Sequence, residues 1–283
     1  MTVPSLTLSD STTIPQFGLG VWQVPAQDAE RVVGEALEIG YRHVDTAQMY
    51  GNEAGVGAAL KSSGLARDDF YVTTKLNNGL HRLDDAKRSL RESLDRLGLD
   101  NVDLFLIHWP LPTRYDGDFV STWQALVELQ DEGLTTSIGV SNFQPAHLDR
   151  IVAETGVVPV VNQVEVHPYF GNEETRAATR RHGALVEGWS PLGQGGGELT
   201  DPVITAIASE LGKSPAQVVL RWHLDRGDIV FPKSTHRERL QENFEVFDFA
   251  LTSEQVAAIS ALDKGEAGRT GAHPDTMDWI PGA

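Results

Sequence analysis

Apolar and polar positions alternate along the chain in two rhythms. Short apolar or β-branched runs at 16–21, 43–45, 70–75, 102–108, 137–141, 160–163, 185–187 and 229–232 predict strands. Segments of helical period lie between them. Ala86, Leu90, Leu94 and Leu97 share one helix face, while Lys87, Arg88, Arg91 and Arg96 take the other. Pro145 falls in the first turn of a helix that buries Leu148, Ile151 and Val152. Gly98, Gly133 and Gly212 each follow a helical stretch, where a left-handed residue ends the helix. Ahead of this alternation, Leu6-Thr7-Leu8 and Thr13-Ile14 flank a polar turn and predict a small hairpin.

Eight strands alternating with helices predict a (β/α)8 TIM barrel, with a doubly wound open sheet as the competing arrangement. No internal repeat or linker marks a boundary, so 1–283 reads as one domain. Within it, 1–15 forms the N-terminal hairpin and 265–283 a tail rich in Gly and Pro, with extra helices beyond the basic repeat.

Composition narrows the function. With 40% hydrophobic and 22% charged residues, the 283-residue chain is globular rather than disordered. Lys+Arg 23 against Asp+Glu 40 leaves a net charge of −17. Such a charge repels nucleic acid and anionic membranes, and an anionic ligand requires a local cluster of cations. The absence of cysteine excludes disulfides, thiolate metal sites and a thiol nucleophile. No basic, apolar leader opens the chain and no apolar run approaches bilayer length, so a soluble cytoplasmic protein is expected. No exposed apolar stripe stands out, which makes a monomer the expectation.

Several motifs fail. Gly18-Leu19-Gly20 lacks the third glycine of a dinucleotide fingerprint, since position 23 is Gln. Gly212-Lys213-Ser214 lacks the first glycine of a phosphate loop, because Ile207 stands there, and reads as a turn between helices. Neither a zinc-protease helix motif nor a serine nucleophile elbow is present. What remains is a set of polar residues at expected C-terminal strand ends, where barrels carry their chemistry. Asp45 ends the second strand, with Tyr50 in the next loop; Lys75 ends the third and His108 the fourth. Singly, each has an ordinary reading as a helix cap, a packed aromatic, a surface charge or a core histidine.

Three longer blocks connect them. Gly40-Tyr41-Arg42-His43-Val44-Asp45-Thr46-Ala47 with Tyr50-Gly51-Asn52-Glu53 resembles the first signature of the aldo-keto reductase superfamily. Leu97-Gly98-Leu99-Asp100 through His108-Trp109-Pro110 resembles the second, and Pro232-Lys233-Ser234 with Arg239, Glu242, Asn243 and Phe244 the third. The blocks stand in family order, and bacterial 2,5-diketo-D-gluconate reductase-type members are the most similar. The resemblance implies an NADPH-dependent reductase of aldehydes and ketones, acting on a small-molecule carbonyl substrate.

By that resemblance Tyr50 is the general acid, Lys75 the cation that stabilises its phenolate, Asp45 the partner that holds Lys75, and His108 the group that orients the carbonyl. A tyrosine of ordinary pKa near 10 is protonated but weakly acidic at neutral pH, which is why such chemistry needs a cation beside it. Lys233, Ser234 and Arg239 would grip the adenosine 2′-phosphate, with Glu242 and Asn243 at adenine. The ordinary alternative for Lys233 is a surface ion pair with Glu238 or Glu242. Ser141, Asn142 and Gln163 would hold the nicotinamide carboxamide, Trp189 would stack on the ring, and Ser190 and Leu192 lead the glycine-rich loop 193–197 toward the pyrophosphate. Trp22 and Trp109 would wall the substrate pocket, with the tail near Trp279.

Two departures from the family pattern bear on specificity: Trp189 stands where many relatives carry Tyr, and Asn77 where many carry Trp. The substrate therefore stays open among diketo sugars, α-dicarbonyls, ketoesters and simple aldehydes. Two other readings compete. One is a catalytically slow, NADPH-binding sensor or regulatory subunit; the other is an unrelated barrel enzyme using Lys75 as a Schiff base.

Overall fold

The computed structural model describes residues 3–281. An antiparallel hairpin, β1 (Ser5–Thr7) and β2 (Thr13–Pro15), leads into the parallel strands β3 (Leu19–Gly20), β4 (His43–Asp45), β5 (Tyr71–Leu76) and β6 (Val102–Ile107). These continue as β7 (Thr135–Ser141), β8 (Val161–Glu165), β9 (Leu185–Trp189) and β10 (Ile229–Val230). From β3 to β10, each of the eight strands neighbours its predecessor.

The two edges of this sheet meet. Phe17 pairs in parallel with Val230, the Gly18 N–H donates to the Val230 carbonyl at 3.0 Å, and the Val230 N–H donates to the Gln16 carbonyl at 3.2 Å. The sheet thus closes into a (β/α)8 barrel, and the open doubly wound alternative falls away. Glycine is needed at the seam, because a Cβ on Gly20 would stand 2.7 Å from the Phe231 carbonyl oxygen.

One helix follows most strands: α1 (Ala26–Ile39), α2 (Glu53–Ser62), α3 (Leu83–Leu97), α4 (Phe119–Asp131), α5 (Pro145–Thr155) and α6 (Glu173–Arg181). Two, α7 (Pro202–Leu211) and α8 (Pro215–Asp225), follow β9; α9 (Arg237–Phe244) and α10 (Ser253–Ser260) follow β10. Pro145 does open α5, and Gly98, Gly133 and Gly212 have φ of 66°, 76° and 63°, the left-handed geometry expected after a helix.

Strand parity divides the side chains. On β5, Val72 and Leu76 join Phe105, Ile107 and Val140 in the layer beneath the helices. Tyr71 instead joins Leu104, Leu106, Val161 and Ile229 in a cluster with Leu8 and Ile14 of the hairpin segment. The hairpin therefore plugs the N-terminal end of the barrel. Leu8 and Ile14 are buried, and each such burial contributes roughly 1.5–3 kcal/mol.

The strand limits differ from the expected ones for identifiable reasons. β10 stops at Val230, before Pro232, which has no N–H for a ladder. β8 and β9 run two residues further than the apolar pattern indicates, to Glu165 and Trp189. Their last inward positions are polar or amphipathic because they border the functional end.

Candidate active site

Lys75 occupies the inward face of β5 and is completely buried. A buried ammonium is costly unless paired and hydrogen-bonded. Its Nζ donates to both Asp45 carboxylate oxygens, at 2.7 and 2.8 Å, and to the Thr46 carbonyl at 2.9 Å. Burial alone would lower the lysine pKa, but Asp45 and the other negative groups outweigh it and hold Lys75 above its ordinary value. A lysine kept charged in this way is not the neutral amine that a Schiff base requires.

Tyr50 ends a short helical turn, Gln48–Tyr50, directly after β4. Its hydroxyl stands 3.5 Å from Lys75 Nζ, and the His108 ring packs edge-on, centroids 5.7 Å apart. Burial raises the Tyr50 pKa and Lys75 pulls it down; burial wins, so the phenol lies above its ordinary value. The cation therefore offsets burial rather than producing an acidic tyrosine. His108 follows β6 and is driven well below its ordinary pKa by burial and by the nearby Lys75 and His81, which keeps the imidazole neutral. Asp45 and Lys75 of β4 and β5, His108 just after β6 and Tyr50 of the turn after β4 are thus brought together.

This group opens into a cavity of about 830 Å³ at the C-terminal face of the barrel. Trp22 and Trp109 line its outer part, joined by Trp279 from the tail; Trp22 is 43% exposed and Trp279 55%. Along the floor, Ser141 donates to the Gln163 carbonyl at 2.8 Å. Asn142 Nδ2 donates to the His108 carbonyl at 2.9 Å and to Ser141 Oγ at 3.1 Å, while its Oδ1 accepts from Trp189 Nε1 at 2.9 Å. Asn142 and Ser190 both adopt left-handed φ, 63° and 51°. That conformation is uncommon outside glycine and clusters at functional sites.

Lys233 and Arg239 also line the cavity. Among the described residues neither is in an ion pair, so the surface pairing with Glu238 or Glu242 is not formed. Ser190 and Leu192 also line it, with Gln194 and Gly195 of the glycine-rich loop. Ser234, Glu242 and Asn243 stand beside the cavity rather than in its lining: Ser234 Oγ accepts from the His236 N–H at 3.1 Å, and Glu242 and Asn243 belong to α9. Asn77 forms no wall; its Oδ1 accepts from the Gly79 N–H at 2.8 Å within a local turn.

Some residues of the site were not anticipated. Met49 and Met277 line the cavity. Glu165 anchors the tail: its carboxylate accepts from the Thr270 N–H and hydroxyl, both at 2.6 Å, and from the Gly271 N–H at 3.0 Å. Behind it, His167 lies between Glu165 at 3.1 Å and Glu198 at 2.9 Å. Glu187 is buried inside the barrel beneath the site. The available signal was parity, since Glu165 follows Gln163 by two residues and Glu187 precedes Trp189 by two.

A closed barrel with a Tyr–Lys–Asp–His group at its C-terminal mouth defines an enzyme-like site built from strand ends. The family model for the aldo/keto reductase family matches residues 15–264, and the chain belongs to that family. An aldo-keto reductase of Mycolicibacterium smegmatis is 48% identical over 276 residues, covering 98% of each chain. A methylglyoxal reductase, DkgA, of Yersinia pestis is 48% identical over 276 residues, covering 97% of each. The crystal structure of a Bombyx mori aldo-keto reductase in complex with NADP superimposes with a TM-score of 0.88 at 38% identity, over 93% of this chain and 94% of that one.

Proposed function

We propose that this chain is an NADPH-dependent reductase that converts small aldehydes and ketones to alcohols, with Tyr50 as proton donor. The observation that carries this reading is the Tyr50 hydroxyl facing the cavity 3.5 Å from a lysine locked by Asp45. The lining suits the cofactor chemically: it holds Lys233 and Arg239, in no ion pair among the described residues, together with Trp189 and the proton donor. When bound, NADPH supplies the hydride from its nicotinamide ring.

The chain's own residues supply the rest. As charge develops on the carbonyl oxygen, Tyr50 transfers its proton there and becomes phenolate. Lys75 stabilises that phenolate at short range, and Asp45 keeps Lys75 charged and in place. Neutral His108 offers an N–H to the carbonyl oxygen and orients it without adding a competing positive charge. Lys233 and Arg239 hold the 2′-phosphate, Arg239 by its guanidinium fork. Ser234, Glu242 and Asn243 complete the adenosine end; Ser141, Asn142 and Gln163 hold the carboxamide; Ser190 and Leu192 border the pyrophosphate. Trp22 and Trp109 shape the substrate end. The name of the Yersinia relative makes methylglyoxal the first substrate to test.

Tyr50→Phe should lower kcat by about 10²-fold or more, the scale of a lost proton donor, with the Kd for NADPH within about twofold of wild type. Stopped-flow turnover with fluorescence titration of NADPH checks both. Undiminished kcat in this variant would remove Tyr50 from the mechanism.

A further inference from the structure

Glu187 has no part in the mechanism so far, yet it lies in the barrel interior with no exposed surface. It faces Asp45 of β4, Lys75 and Tyr71 of β5, and Gln163 of β8, with Ile229 of β10 in register beside it. Gln163 Nε2 stands 2.9 Å from Glu187 Oε2 and 2.9 Å from Asp45 Oδ2. Both Asp45 carboxylate oxygens already accept from Lys75 Nζ, and a carboxylate in such a salt bridge can only accept. The Gln163 atom between these two carboxyl groups is therefore the N–H2, and both of its hydrogens are used. Oε1 accepts no hydrogen bond among the described residues and belongs to a side chain that lines the cavity.

We infer that Glu187 is a positioning residue of the cofactor site: with Asp45 it holds the Gln163 amide so that its carbonyl oxygen, and not its N–H2, faces the cavity and accepts from the carboxamide N–H2 of the nicotinamide ring. The inference rests on the NADPH reading above and deepens it. The neighbouring donors are already committed, Ser141 to a carbonyl and Asn142 Nδ2 to two acceptors, so the floor of the cavity presents acceptors. A site of this polarity favours a carboxamide over a ring substituent that cannot donate.

Glu187 also supplies a signature that a purely structural carboxyl would lack. Burial, with the nearby Asp45 charge, pushes its pKa up to about 8, so it is mostly neutral at pH 7 and becomes a carboxylate above pH 8. The carboxylate is the stronger acceptor for Gln163 Nε2 and holds the amide more firmly. Its Oε1, which has no hydrogen-bond partner among the described residues, is tolerated far better in the neutral acid.

The test compares binding of NADP with that of its 3-acetylpyridine analogue, in which a methyl ketone replaces the carboxamide and no N–H2 remains. Competition against NADPH fluorescence gives the two Kd values at pH 7 and pH 9. Wild type should prefer the carboxamide by about three- to tenfold, the range of one neutral hydrogen bond, and more strongly at pH 9. Glu187→Met removes the second acceptor and should reduce that preference to about twofold or less. Glu187→Gln can still accept from Gln163 and should restore the pH 7 preference but not its rise with pH. This second variant, and the wild-type pH step, serve if the Met variant does not fold. Tight NADPH binding with an unchanged preference in Glu187→Met, or a pH step that survives in Glu187→Gln, would overturn this inference alone. Failure of the wild type to bind NADPH would overturn it together with the reading on which it rests.

Discussion

At the residue scale, the site turns on how one buried charge is managed. Lys75 is tolerated inside the barrel because two carboxylate oxygens and one carbonyl satisfy its three donors. The opposite treatment is given to Lys233 and Arg239, which stand in the cavity lining without ion-pair partners among the described residues. Their proposed pairing with a 2′-phosphate has a direct consequence. Lys233→Met and Arg239→Ala should each raise KM for NADPH by about tenfold, the scale of one lost charge-assisted contact, while KM for NADH changes by less than about twofold. Parallel steady-state runs with both cofactors measure this, and equal effects on the two would refute the 2′-phosphate assignment. Asp45, Tyr50 and His108 were legible in the sequence because they stand within the family blocks, and Lys75 because it ends an expected strand between two of them. Glu187 was not, because a single carboxylate in an apolar run carries no sign of what it faces across the barrel.

At the element scale, alternation along each strand explains why these side chains meet. Thr73 and Lys75 share a face of β5, as Gln163 and Glu165 do on β8 and Glu187 and Trp189 on β9, while the intervening residues pack beneath the helices. The eight strand positions were readable from apolar runs, though their ends shifted where proline or inward polar residues interrupted the pattern. The path of the tail was not readable, since its contacts depend on Glu165, more than a hundred residues away. Close approach also governs Gly271: a Cβ there would stand 2.4 Å from the Trp189 ring. Gly271→Val should therefore displace the tail from Trp189 and raise KM for NADPH or carbonyl several-fold, while thermal unfolding of the barrel shifts by only a few degrees. Limited proteolysis of the tail together with KM measurements checks it; wild-type values of both would show that the tail does not depend on this contact.

On the scale of the whole molecule, the net charge of −17 and the local cations act in opposite directions on a polyanionic cofactor. The contact pairs proposed at Lys233 and Arg239 would act within a few ångströms, whereas the overall repulsion is screened beyond about 10 Å at 0.1 M salt. The local pairs should dominate, so Kd for NADPH should rise about two- to fivefold between about 0.05 and 0.5 M salt, and Kd for NADH much less. A tightening of NADPH with salt would show the global field to be the larger effect. The exposed large hydrophobics among the described residues, Trp22 and Trp279, both line the cavity, which ties them to the site rather than to a separate surface. Among the described residues no helix is long and apolar enough to cross a membrane.

The sequence by itself determined the alternation of strands and helices, which sets Lys75 at a strand end, the absence of thiol chemistry and the family blocks that bring Asp45, Tyr50 and His108 to attention, because period, composition and ordered motifs are local properties. Only the tertiary structure decided barrel closure at Phe17 and Val230, the freedom of Lys233 and Arg239 from the acids next to them in sequence, the tail's anchor on Glu165, and the setting of Gln163 between Asp45 and Glu187. Each of these depends on distances between groups far apart in the chain. The same side chains are costly or useful according to whether a partner stands within hydrogen-bond reach, and that is a property of the fold alone.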